Sequence, residues 1–306
     1  MRTLLLHNPK AGAGGHTEKE LLAALKVGGM RSSYCSTKSA EFPDILTKKV
    51  DQYVVAGGDG TIAKVLTKLP DRSRPVAIVP LGTANNIARS FGVAGTPQEL
   101  AERFTAESLR RLDIGRVTGP WEDAAFVEAV GIGTLAAAMA HKSASDRPSG
   151  SRKIIRGRET LVRTLKAQKA FDMEIELDGS ARHGRFLAVE ILNTPSSGPA
   201  LPLAPGADPG DGWFDVLLVG EDDRAAFTAW LESPQHESPD FGKTIRARRI
   251  EFIWNGEPLR IDDELPDKVE EPAKVVITVQ PVPVQVMMLT ETSPTRSEER
   301  DAETVA

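Results

Sequence analysis

Over the first third of the chain, short apolar runs stopped by Gly, Pro or Asn alternate with stretches whose apolar residues recur every three or four positions. The runs predict strands at Thr3–His7, Tyr53–Ala56 and Val76–Val79. The periodic stretches predict helices over Thr17–Lys26, with Leu21, Leu22 and Leu25 on one side, and over Ile62–Leu69, with Val65, Leu66 and Leu69 likewise. Such alternation makes a mostly parallel sheet covered by helices. From about Arg110 the texture changes to β-like alternation and apolar runs divided by turn residues. Strands are expected at Asp113–Val117, Phe126–Val130, Met173–Leu177, Arg185–Leu192, Phe214–Val219, Ile250–Trp254, Leu259–Ile261 and Lys274–Gln280. One amphipathic helix, Gly157–Ala170, interrupts them. The expected fold is α/β + β: a Rossmann-like domain followed by an antiparallel β domain.

Three glycine-rich turns fall between predicted strand and helix in the first part: Asn8–Gly15 (NPKAGAGG), Gly57–Thr61 (GGDGT) and Pro80–Asn86 (PLGTANN). All three should emerge at the carboxyl edge of one sheet, where open α/β folds bind ligands. Glycines let backbone N–H groups approach an anion, and a following helix adds unpaired donors. Read alone, NPKAGAGG is equally a tight turn; three such loops on one edge favour phosphate.

Gly58 to Ala63 fits G-x-G-x-x-A, but Ala77 to Asn86 holds no acid to grip a ribose, which argues against hydride transfer. The Walker pattern is absent. Asp59 would repel phosphate unless a metal ion or a proton-transfer role accounts for it, so it points to Mg²⁺ and phosphoryl transfer, with a turn aspartate as the other reading.

Composition narrows the field. A single cysteine, Cys35, in 306 residues excludes internal disulfides and cysteine-based metal cages, and fits a reducing cytoplasm. The apolar start is too short for a secretion signal, and Val275–Leu289 is broken by Pro281 and Pro283, so no membrane span is expected. A net charge of −5 argues against non-specific nucleic-acid binding. Locally, however, Lys142 to Lys169 carries an excess of +7.

GGDGT followed by PLGTANNIARSFGV resembles the catalytic domain of the diacylglycerol kinase and sphingosine kinase family, in its bacterial soluble form. The resemblance extends through Asp113-Ile-Gly115, Phe126–Gly133 and the long stretch Asn193–Val216 to Ile261–Glu264. It implies an NAD kinase- and phosphofructokinase-related first domain over residues 1–118 with a returning segment near 284–292. A β-sandwich lipid-substrate domain would cover 119–283, and a disordered tail 293–306.

The resemblance also implies an ATP- and Mg²⁺-dependent lipid kinase, most simply one converting diacylglycerol to phosphatidic acid. Catalytic roles fall to Asp262 as base, Asp59 and Glu264. Nucleotide binding falls to Asn8, Lys10, Gly57, Gly58, Gly60, Thr61, Gly82, Thr83 and Asn85. Metal binding falls to Asp59, Asp113, Asp211 and Asp215, of which Asp211 and Asp215 match a second, structural Mg²⁺ site.

Four positions depart from the family pattern: Asp263 replaces the glycine of D-G-E, Asn86 an acid, Lys64 a glutamate, and Pro199 a glycine. They keep open an NAD kinase-like enzyme or a catalytically impaired nucleotide-binding regulatory protein. The partner expected is lipid at a membrane surface, met by the basic stretch, giving a cytoplasmic, peripherally attached protein. Oligomeric state stays open, a homodimer included.

Overall fold

The computed structural model describes residues 1–140, 150–233, 239–267 and 269–290. The tail 293–306, with Lys142 and Arg147 of the basic stretch, lies outside the described residues. Strands β1 (Thr3–His7), β2 (Ser32–Ser36), β3 (Gln52–Gly57) and β4 (Pro75–Pro80) pair in parallel in the order β2-β1-β3-β4. The apolar runs of β1, β3 and β4 are buried on both faces because helices cover the sheet. These helices are α1 (Glu18–Val27), α2 (Phe42–Ile45), α3 (Asp59–Leu66), α4 (Asn86–Arg89) and α5 (Pro97–Arg103). Reciprocal capping boxes start α1, from Thr17 and Glu20, and α5, from Thr96 and Glu99. The next strand, β5 (Phe104–Leu112), is mostly exposed, which hid it from a reading of hydrophobic pattern.

The second domain contains β6 (Gly115–Thr118), β7 (Ala124–Phe126), β8 (Ala129–Gly133), β9 (Phe171–Leu177), β10 (Ser180–Leu192), β11 (Phe214–Gly220), β12 (Lys243–Ala247), β13 (Arg249–Trp254), β14 (Leu259–Ile261) and β15 (Ala273–Val279). Every pairing among them is antiparallel. Strand β10 pairs with β9 through its first half and with β8 and β11 through its second, across a register shift at Phe186–Ala188. Its alternate residues Phe186, Val189 and Ile191 join the sandwich core, while Leu187 and Leu192 face a cover of three helices. Those helices are α6 (Thr134–Ala140), α7 (Ser151–Ala167) and α8 (Arg224–Glu232). Helix α7 begins six residues before the predicted amphipathic stretch and ends three before its end.

The single strand expected at Phe126–Val130 is divided between β7 and β8. The cause is local: the N–H groups of Val127, Glu128 and Ala129 all donate to the Asp262 carboxylate instead of a neighbouring strand. After β15 the chain returns as β16 (Val284–Leu289), parallel to β4 and antiparallel to β5. Val284 and Val286 there enter the core of the first sheet. The first domain is thus closed by residues from near the far end of the described chain.

Candidate active site

Because β1, β3 and β4 are neighbours, the three glycine-rich loops that follow them leave the same sheet edge side by side. Two of the loops touch through backbone alone. A Cβ added to Gly82 would lie 2.5 Å from the Gly58 Cα, and one added to Gly58 would lie 3.0 Å from the Gly82 Cα. The first loop is held as closely: a Cβ on Gly12, which sits at φ +58, would lie 2.5 Å from the Leu81 carbonyl oxygen. Polar contacts complete the joint. Asn8 Nδ2 donates to Thr61 Oγ1 at 2.9 Å, and the Leu81 N–H to the Gly57 carbonyl at 2.8 Å. Asn85, left-handed at φ 51, accepts the Gly82 N–H on its Oδ1 at 2.9 Å. Lys10 is exposed with its N–H on Asn8 Oδ1, and Thr83 is half-buried in the third loop. The predicted nucleotide residues therefore form one backbone-lined surface at the N-terminus of α3, whose first amides lack partners within the helix.

Asp59 opens α3 and accepts the Ile87 N–H at 3.0 Å. Burial raises its pKa, with the Asp263 charge adding to it, against the N–H groups of Ile87 and Asn86. Asp263 turns towards the phosphate loop: a Cβ on Gly60 would lie 2.8 Å from its Oδ2. The extra side chain in the D-G-E position thus faces Asp59's loop. Asp262, at φ 48, accepts N–H bonds from Val127, Glu128 and Ala129 at 2.9, 2.8 and 3.1 Å. Burial pushes its carboxyl up to about 6. Glu264 is exposed, its backbone bridged to Ile261. Lys64 reaches away, donating to the Thr37 carbonyl at 3.0 Å above the Phe42 ring.

Behind these residues lies a buried polar network that the sequence reading missed. Glu190 and Arg260 form an ion pair at 2.6 Å with side chains 1% and 2% exposed. Arg260 also donates to Ser197 Oγ at 2.7 Å and to the Asp262 carbonyl at 3.2 Å. Ser197 in turn donates to Glu128 Oε1 at 2.7 Å. Burial, then the charges of Asp59 and Asp263, raise the pKa of Glu128 although Arg260 works against them. The available signal was a lone charge inside an apolar run, as in FVEAVG, LAVEIL and PLRID.

Asp113, Asp211 and Asp215 form a second group at the domain junction. Asp113 accepts the Gly212 N–H at 2.6 Å, and its own N–H donates to the Pro209 carbonyl at 2.6 Å. Asn193 ties this group to the first by donating to the carbonyls of Asp113 and Val127 at 2.9 and 2.8 Å. Burial raises the pKa of Asp113 and of Asp215, and Asp211 adds to both. Asp211 is paired with Arg246. Among the described residues, no three His, Cys, Asp or Glu side chains lie close enough to hold a metal ion alone.

Backbone-lined loops on an α/β sheet edge, backed by acids from an antiparallel β-sandwich, define an enzyme that handles phosphate groups. The model of the diacylglycerol kinase catalytic domain matches residues 2–117, and that of the YegS C-terminal NAD kinase beta sandwich-like domain matches residues 129–288. The chain belongs to the diacylglycerol kinase family of lipid kinases, and is a phosphotransferase. It is similar to the diacylglycerol kinase of Bacillus subtilis (strain 168), with 27% identity over 246 residues, covering 74% of this chain and 76% of the relative. The diacylglycerol kinase of Mycobacterium tuberculosis (strain CDC 1551 / Oshkosh) shares 27% over 213 residues, covering 67% of each. In fold it resembles a crystal structure of a diacylglycerol kinase from Bacillus anthracis strain Sterne, with a TM-score of 0.67, 20% identity and coverage of 94% and 96%. Yeast NADH kinase complexed with NADH shares the architecture at a TM-score of 0.52 and 9% identity, over 98% of this chain and 86% of that one.

Proposed function

We propose that the protein transfers the γ-phosphoryl group of ATP, with Mg²⁺, to the hydroxyl of diacylglycerol at a membrane surface, giving phosphatidic acid. The observation that carries this reading is the packing of Gly58 on Gly82 beside Asp59, which leaves only backbone where phosphates would lie.

Phosphoryl transfer asks a protein for alignment, charge neutralisation and a destination for the acceptor proton. Gly57, Gly58, Gly60, Thr61, Gly82, Thr83 and Asn85 supply the phosphate surface, with Asn8 and Lys10 at its rim. Two carboxylates at one loop, Asp59 and Asp263, fit Mg²⁺, which takes one or two protein acids and completes its shell with water and phosphate. Bound there, the ion would neutralise charge on the phosphates. The junction acids fit a second ion poorly, since Arg246 already pairs Asp211 and a backbone N–H holds Asp113.

Asp262 is the proton acceptor in this scheme. Its two oxygens offer about four lone-pair sites. Backbone N–H groups take three, and the remaining site is held in fixed orientation. A carboxyl near 6 is also suited to taking a proton around neutral pH. Glu264, exposed close by, stays a candidate for steering the acceptor.

A membrane surface is favoured by α7, which carries exposed Arg152, Lys153 and Arg163 and an Ile155 that is 56% exposed. This helix packs on the loop after Asn193: a Cβ on Gly157 would lie 2.9 Å from Pro199, and Arg158 donates to the Ala200 carbonyl at 3.3 Å. The test is label transfer from γ-labelled ATP to a panel of diacylglycerol, a sphingoid base and NAD. Label in phosphatidic acid is expected; label confined to NAD, or in no product, would overturn the reading.

A further inference from the structure

Position 86, at the start of α4 behind the third glycine-rich loop, is an amide, Asn86, which brings no carboxylate of its own to the phosphate site. The structure supplies a carboxylate at the same place from the other domain. Asn86 Nδ2 donates to Glu128 Oε2 at 3.1 Å, and both side chains are buried. An acid at position 86 would face that carboxylate directly and be repelled by it. Amide and acid together satisfy the contact, with the carboxylate supplied by the segment between β7 and β8.

We propose that Glu128 is a positioning residue for phosphoryl transfer: its one carboxylate joins the loop after Asn193 to Asn86, and through Asn86 aims Asp59. The inference rests on the functional reading above. Six hydrogen bonds carry it. Glu128 Oε1 accepts the Ser197 hydroxyl at 2.7 Å and the Gly198 N–H at 3.0 Å, both in the loop after Asn193 on which α7 packs. Glu128 Oε2 holds Asn86, whose Nδ2 also donates to the Gly198 carbonyl at 3.1 Å. The backbone N–H groups of Asn86 and Ile87 then hold the Asp59 carboxylate, that of Ile87 at 3.0 Å.

The linkage is stiff at both ends. Asn86 Oδ1 is buried without a partner, so Nδ2 alone anchors that side chain by hydrogen bonding. Ser197 is fixed in turn by Arg260, itself locked to Glu190. Movement of the loop after Asn193 would therefore reach Asp59 through the buried side chains of Glu128 and Asn86.

The test is an exchange of the two groups. Glu128→Gln sets an amide against the Asn86 amide, and a displaced Asp59 should lower kcat roughly 100-fold while KM for ATP moves far less. Asn86→Asp combined with Glu128→Gln rebuilds the acid–amide pair in reverse and should recover at least about tenfold of that loss. A pair that folds, shown by circular dichroism, yet is no better than Glu128→Gln alone would overturn the inference, as would a Glu128→Gln enzyme of full kcat.

A second arm needs no lipid turnover. Affinity for a non-transferable ATP analogue with Mg²⁺ should fall about fivefold in Glu128→Gln, and no further when Glu128→Gln is added to Asp59→Asn. Additive losses would show that Glu128 does not act through Asp59 and would overturn the inference. If the wild type labels no lipid but the second arm behaves as expected, the choice of substrate fails and the role of Glu128 stands.

Discussion

At the scale of single residues, the site depends on what is missing as much as on what is present. Gly58 and Gly82 meet Cα to Cα, so Gly82→Ala must push apart two of the three loops. Its added Cβ would also lie 2.6 Å from Asn85 Oδ1, breaking the turn that this residue caps. Nucleotide affinity should fall more than tenfold while the circular dichroism spectrum stays unchanged; calorimetric titration with an ATP analogue checks this.

Asp59 was legible in the sequence because the glycines that surround it are its neighbours in the chain. Glu190 and Arg260 were not, because 70 residues separate the partners and only the folded sheet brings them together.

At the scale of elements, hydrophobic pattern located the strands that are buried on one or both faces. Thr3–His7 and Leu259–Ile261 fall where the runs placed them, and β3, β4 and β11 differ only by end residues. What it could not locate is what pattern does not encode. Strand β5 is exposed along most of its length and owes its place to pairing with β16, while α6 lies in an alanine-rich stretch that carries no clear stop signal.

The break between β7 and β8 is the clearest case: apolar character continues through Phe126–Val130, but a carboxylate more than 130 residues away takes the amides. The ion pair that joins β10 to β14 sets the mechanical strength of this region. Arg260→Met would leave Glu190 buried without its cation and should destabilise the protein by about 3–5 kcal/mol, read from urea unfolding. A loss below about 1 kcal/mol would show that Glu190 simply takes up a proton in place of its partner.

At the scale of the whole molecule, two faces must serve one reaction: a loop surface for a water-soluble nucleotide and a surface that can meet lipid. No described helix is long and apolar enough to cross a membrane; in the function proposed above, it is α7 that meets the lipid surface. Reversing Arg152, Lys153 and Arg163 to Glu should weaken binding to vesicles rich in anionic lipid by roughly two orders of magnitude, at about 1 kcal/mol for each charge removed near the surface. Arg158 is the internal control, since it turns inward to the Ala200 carbonyl. Equal binding by wild type and triple variant in a flotation assay would remove α7 from the lipid surface.

The division into an α/β and a β part was legible from the change of texture near Arg110. That β16 completes the first sheet was expected only from family resemblance, because a strand following Pro281 and Pro283 looks locally like an extension of the β part.

The most direct measurement is a single-turnover assay of γ-phosphoryl transfer from ATP to diacylglycerol by the wild type and Asp59→Asn, with ADP binding measured on the same samples. Phosphatidic acid from the wild type, and its loss in a variant that still folds and binds ADP, is the expected result. Undiminished transfer by Asp59→Asn would contradict the assignment of the phosphate site to the glycine loops around Asp59.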